Sequence, residues 1–196
     1  MKKVTSLIIF LLFFVIFLIV FLPYQKIYKT AIDKLALQNK VTLAYNIKKA
    51  NLLNLYLDDI KLVLPNKTAN INKLKIKFYP IGFLLNSKLA RITVQIADEN
   101  AAFDISKNKD RYFISGTFKT NMLSEFLDNA VASFLKGFNG SDELYLDIAF
   151  KKNRIDINKL EIKGDFELDA KGFIKSGVLR LMGVVKIGKM KENFSI

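Results

Sequence analysis

The sequence predicts a mainly β protein with minor α: one N-terminal transmembrane helix, then an antiparallel meander with one or two short packing helices. Three observations predict it. Val4 to Leu22 is an unbroken apolar run, VTSLIIFLLFFVIFLIVFL. From Val41 onward, apolar residues recur at every second position rather than at helical spacing. The composition, 51% apolar with three prolines, suits a packed chain rather than a disordered one.

The apolar run carries no charge, and at 1.5 Å per residue it spans about 28 Å, close to the thickness of a bilayer core. A helix satisfies its own backbone hydrogen bonds, so such a run can sit in hydrocarbon. A cleaved signal peptide is the competing reading, but Leu22, Pro23, Tyr24, Gln25 and Lys26 offer no small-residue cleavage site. The expected anchor residues are Val4, Leu7, Phe10, Phe14, Phe17, Phe21 and Leu22. Lys2 and Lys3 ahead of the run are balanced by Lys26, Lys29, Lys34 and Lys40 behind it. The very short leading tail favours a cytoplasmic N-terminus, with the main domain outside the cytoplasm.

The chain therefore divides into a tail and anchor (1–23), a juxtamembrane helix (24–40) and one β-rich domain (41–196). Within 24–38, Ile27, Ala31 and Leu35 recur at four-residue spacing beside Tyr28 and Ile32, as on an amphipathic helix kinked from the anchor near Pro23. Its expected role is to lead the chain onto the domain; lying flat on the membrane surface is the alternative.

Ile60, Leu62 and Leu64, then Leu74, Ile76 and Phe78, then Ile92, Val94 and Ile96 alternate with mostly polar neighbours, as half-buried strands do. Between the last two, Ile81 to Leu85 is expected to plug an end of the sheet. Arg111 to Lys119 reads as another strand. Asn121 can cap a helix carrying Met122, Leu123, Phe126, Leu127, Ala130, Val131, Phe134 and Leu135. That stripe suits core packing, with a partner or lipid groove as the alternative. Leu144, Leu146, Ile148 and Phe150 form a strand, a turn follows at Lys151 to Arg154, and Leu160 to Ala170 alternates throughout. A partner- or lipid-facing surface is expected at Leu74, Ile76, Phe78, Phe126, Phe134, Phe166 and Leu168.

The chain contains no Cys, His or Trp. Thiolate and imidazole sites, for zinc or for nucleophilic catalysis, cannot be built from it alone. Asp165, Glu167 and Asp169 are read as a row paired with Lys on neighbouring strands, rather than as a Ca²⁺ or acid–base site. Lys73, Lys75 and Lys77 read as a solvated face, and Asp58–Asp59 as too divergent in direction to act together. The net charge of +13 comes mostly from Lys, with Arg confined to positions 91, 111, 154 and 180. Base and phosphate readers favour Arg, so no nucleic-acid partner is expected; anionic headgroups suit dispersed Lys better. No cofactor, metal or enzymatic activity is expected.

Two stretches carry a family pattern. One is KKANLLNLYLDDIKLVLPN with NKLKIKFYPIGFLLNSKLARITVQIADENAAFDIS, behind the anchor and short helix; the other is KNRIDINKLEIKGDFELDAKGFIKSGVLRLMGVVKIG. Together they resemble the bacterial type II secretion system protein N family (GspN), itself similar to AsmA-like membrane-anchored proteins with curved β-sheets. The resemblance implies a single-pass, non-enzymatic protein of the bacterial inner membrane, with its β domain in the periplasm beside other secretion-system envelope proteins. Such proteins often run on through further strands after the segment matching Lys171 to Ile187, so the resemblance allows either a domain that closes by itself or a last edge completed by another chain. The leading functional expectation is a scaffold or accessory of type II secretion, and the alternative is an AsmA-like module that binds or transfers lipid.

Overall fold

The computed structural model describes residues 9–10, 13–14, 17, 21–63, 68–119, 122, 143–164, 166–176 and 178–195. Helix α1 (Tyr24–Gln38) is followed by β1 (Thr42–Ala50), β2 (Asn54–Val63) and β3 (Thr68–Phe78). Then come the short helix α2 (Pro80–Leu85), β4 (Lys88–Ile96), β5 (Glu99–Asn108) and β6 (Arg111–Lys119). The chain ends with β7 (Glu143–Lys151), β8 (Arg154–Lys163), β9 (Phe166–Lys175), β10 (Val178–Ile187) and β11 (Met190–Ser195). All eleven strands form one open antiparallel sheet in sequence order.

One apolar row crosses the whole sheet. Partner by partner it runs Ala50, Leu55, Ile76, Ile92, Phe103, Gly116, Leu146, Leu160, Ala170, Gly183, Phe194, one residue from each strand. Directly opposed residues of antiparallel strands share a face, so this row lies on a single side. Small residues sit among large ones, which lets bulky neighbours fold over them. Gly116 is one such place: a Cβ there would stand 2.4 Å from the Ala102 carbonyl oxygen and 2.5 Å from Cδ1 of Phe103.

A register shift in β1–β2 between Ala44 and Asn46, with the extra residue in β2, brings Leu57 and Ile60 into one buried cluster despite their three-residue spacing. Asp59, at φ 52°, takes the turn in direction. Against this corner lies α1. Tyr28 stacks on Phe78 at 5.8 Å and donates its hydroxyl to the Asn51 carbonyl at 3.2 Å. Ile32 packs into the same cluster. Ile27 and Leu35, the other apolar stripe, remain exposed.

The structure corrects several expectations. Ile81, Phe83, Leu84 and Leu85 do not plug the sheet: all four are exposed, and only Gly82 of α2 is buried. A side chain at Gly82 would run into the Lys88 carbonyl, so the helix lies against β4 backbone and its large side chains turn outward. The alternating run Leu160–Ala170 is not one strand but the β8–β9 hairpin, with Ile162 paired to Leu168. Glu99–Asn108 forms a strand that the periodicity left unassigned. The helical positions Leu123, Phe126, Leu127, Ala130, Val131, Phe134 and Leu135 lie outside the described residues; Met122 is helical and buried.

Val4 and Leu7 also lie outside the described residues. Phe10, Phe14, Phe17 and Phe21 are helical and exposed, with Phe17 and Phe21 rings 4.3 Å apart; Leu22 forms a bend before Pro23. Among the described residues no helix is long and apolar enough to cross a membrane.

Substituting Gly116 by Ala should destabilise the fold by about 1–3 kcal/mol, because the added methyl meets a neighbouring strand's backbone. Denaturant titration of the variant checks this, and an unchanged midpoint would contradict the close approach.

Candidate functional site

An apolar site lies in the middle of the row's face. It is a groove of about 210 Å³ lined by Ile71, Val94, Ile96, Ala101, Phe103, Phe118 and Met122. These residues come from β3, β4, β5, β6 and the segment after β6, so the meander's sequential pairing assembles the groove. The rings of Phe103 and Phe118 are 5.6 Å apart and tilted by 42°, forming its wall. The walls are hydrocarbon and aromatic ring throughout, apart from the thioether sulfur of Met122. Such a surface binds by shape and apolar burial, and holds nothing that needs a fixed hydrogen bond.

Leu74, Ile76 and Phe78 sit half-buried on the same face, where Phe78 is capped by Tyr28 and all three pack around Leu55, Leu57 and Ile60. Leu168 joins that face across the sheet, opposite Ile162 on one side and Val185 on the other. The structure thus brings Leu74, Ile76, Phe78 and Leu168 onto one surface. Phe166 begins β9 opposite Ile187, and its side chain lies outside the described ones; Phe126 and Phe134 do too. The groove residues Ala101 and Phe103 were missed from sequence because β5 itself was missed.

The opposite face is ionic. Lys73, Lys75 and Lys77 are exposed, with Lys75 lying 5.1 Å from the centre of the Tyr56 ring and Lys77 5.4 Å from that of Tyr79. Asp104 holds both Lys88 at 2.6 Å and Arg91 at 2.9 Å. Glu167 meets Lys186 at 2.8 Å, as expected for that acidic row, while Asp165 lies outside the described residues. A depression of about 290 Å³ near Glu161, Glu167, Asp169 and Lys186 is the best-defined polar hollow on this side. Its charges are committed to one another: the Lys159 hydrogen bond holds the Glu161 carboxyl below its usual range, and Glu167 raises Lys186. Both shifts move titration away from neutrality, which is the reverse of what proton transfer near pH 7 requires. Among the described residues no group of three or more acidic residues is placed to hold a metal ion.

The Tyr45 hydroxyl donates to Asp33 Oδ1 at 2.7 Å and so ties β1 to α1. Burial first, then this hydrogen bond to the carboxylate, pushes the phenol up to about 12. At the β7–β8 turn, Lys151 and then Arg154 hold Asp156 below the usual carboxylate range against an opposing effect of burial.

No protein-family model, curated protein or solved structure matches the chain. What the fold and site define is a class: an open antiparallel meander, helix-capped at one corner, with an apolar groove on one face.

A raised phenol stabilises the fold fully below the unfolded value near 10 and loses that contribution as pH rises towards about 12. Wild-type stability should therefore fall across that window. Tyr45→Phe should flatten this part of the alkaline profile while costing about 1 kcal/mol at neutral pH. Equal slopes in the two proteins would refute the Tyr45–Asp33 tie.

Proposed function

We propose that this chain is a membrane-tethered, non-catalytic protein of the bacterial envelope whose open sheet shelters acyl chains of lipid on its apolar face. The groove between Val94, Phe103 and Phe118 carries this reading, because it is built from apolar side chains and belongs to a row that no charged residue interrupts. Burying apolar surface yields roughly 25 cal/mol per Å², so a hydrocarbon chain laid along such a surface gains without any polar recognition. The apolar run Val4–Leu22 supports the tether, and a cytoplasmic N-terminus places the sheet in the periplasm. The absence of Cys and His narrows the chemistry available to the chain and agrees with a binding role.

A scaffold role in type II secretion is the second reading. It draws on the family resemblance and on β11, which pairs with β10 on one side and whose other edge meets no strand among the described residues, as would suit a strand from another protein. Chemical crosslinking in cells, followed by identification of the adducts, tests it directly. Recovery of secretion-system components supports the scaffold, and adducts that contain none of them count against it.

The lipid reading is tested by photo-crosslinking from single positions in the full-length protein in cells. Benzoylphenylalanine at Val94 should yield phospholipid adducts, whereas at Thr93, on the opposite face of the same strand, it should not. Lipid adducts of equal yield at both positions, or none at Val94, would overturn it.

A further inference from the structure

Alternate turns of a meander fall at the same end of the sheet, so the β1–β2 and β3–β4 connections share one rim. Helix α1 runs back along β1 to that rim: Tyr28 reaches the Asn51 carbonyl, while Asn39 and Lys40 lead into β1 at the far end. The apolar run Val4–Leu22 therefore joins the domain at this same rim. There, among the described residues, the domain exposes a group of large apolar side chains. Leu52 and Leu53 occupy the first turn, and Ile81 (67% exposed), Phe83 (57%), Leu84 (83%) and Leu85 (69%) occupy α2. The two turns are tied together, since the Phe78 amide donates to the Leu53 carbonyl at 2.7 Å.

Cationic and aromatic groups flank this patch. Lys77 and Lys88 each lie 5.4 Å from the centre of the Tyr79 ring, just before and after α2. The next turn at this rim carries Lys107, Lys109 and Arg111, and the Lys107 amide bonds the Ser87 carbonyl at 2.9 Å. An apolar tip edged by Tyr and Lys matches the layering of a bilayer surface, with acyl chains below and headgroups above.

We propose that this rim is a second membrane contact: Leu52, Leu53 and the outward residues of α2 insert into the leaflet from which the anchor emerges, while the neighbouring lysines engage anionic phospholipid headgroups. The proposal rests on the tether reading and adds a defined orientation to it. It explains why α2 spends four large apolar residues on an outward surface, with Gly82 allowing the helix to lie flat on β4.

The chain has no cysteine, so single-cysteine variants of the full-length protein are direct probes. Phe14→Cys, Leu84→Cys and Lys189→Cys place nitroxide labels in the anchor, on α2 and at the opposite rim. Each is reconstituted in vesicles of phosphatidylethanolamine and phosphatidylglycerol, and its accessibility to oxygen and to a water-soluble nickel complex is measured. A several-fold higher oxygen-to-nickel ratio at position 84 than at 189 is the expected result, reduced when phosphatidylcholine alone forms the vesicle. A label at 84 as wet as that at 189, with position 14 in lipid, overturns the rim contact and leaves the tether standing. Labels in water at both 14 and 84 overturn both. Lipid accessibility at 84 that ignores headgroup charge overturns the part assigned to lysine.

Discussion

Everything in this fold answers to one constraint: an eleven-stranded sheet with an apolar face must keep that face from bulk water. Ladder hydrogen bonds hold each strand to its neighbours, but they do nothing for Ile76, Ile92, Phe103 or Leu146 on the oily side. Among the described residues α1 covers the β1–β3 corner and Met122 the middle. Elsewhere the row is half-buried by its own neighbours. Curling brings such neighbours closer, and the tight approach at Gly116 is one place where the sheet accommodates it. The same residues that need cover are therefore the ones able to receive hydrocarbon.

The polar side of the sheet reaches the opposite balance. Some of its charges are matched locally, Glu167 with Lys186 and Asp104 with Lys88 and Arg91, while Lys73, Lys75 and Lys77 stand exposed. Exposed pairs of this kind contribute little each, about 0–1 kcal/mol, and mainly keep the face wetted. At the far edge of the described strands, β11 carries Lys191 and Glu192, which discourages indiscriminate edge pairing. Any partner strand admitted there must therefore suit those charges.

Much of the sheet was legible because a half-buried antiparallel strand writes its two faces into alternate residues. Leu74–Ile76–Phe78 and Ile92–Val94–Ile96 did so plainly, and both stand as β3 and β4. The β8–β9 hairpin was hidden for a geometric reason. Ile162 and Leu168 are paired, and partners at positions of equal parity let the alternation run straight through the turn. The β5 strand was obscured by Ala101 and Ala102, whose small side chains give a weak hydrophobic signal, although Ala101 is among the most buried residues. The groove depended on that strand and was missed with it. No pattern in PIGFLL announces that its side chains face outward; that follows from Gly82 meeting the β4 backbone, a tertiary contact.

A tether alone fixes height but leaves a domain free to tilt and turn about the joint at Leu22 and Pro23. An apolar rim of a few residues would bind a bilayer only weakly if free in solution. Attached beside an anchor, as proposed, its local concentration at the surface would be set by a short connection, on the order of millimolar for short flexible linkers, and weak contacts would then suffice. Because α1 is clamped to the sheet by Tyr28 and by the Tyr45–Asp33 bond, α1 and the sheet tilt as one body. In the proposed arrangement, a rim in the leaflet would restrict that motion and give the groove a reproducible direction relative to the lipid. Under that proposal, loosening the clamp would leave the anchor in place while scrambling the direction of the sheet, so orientation would belong to α1 and α2 together rather than to the apolar run.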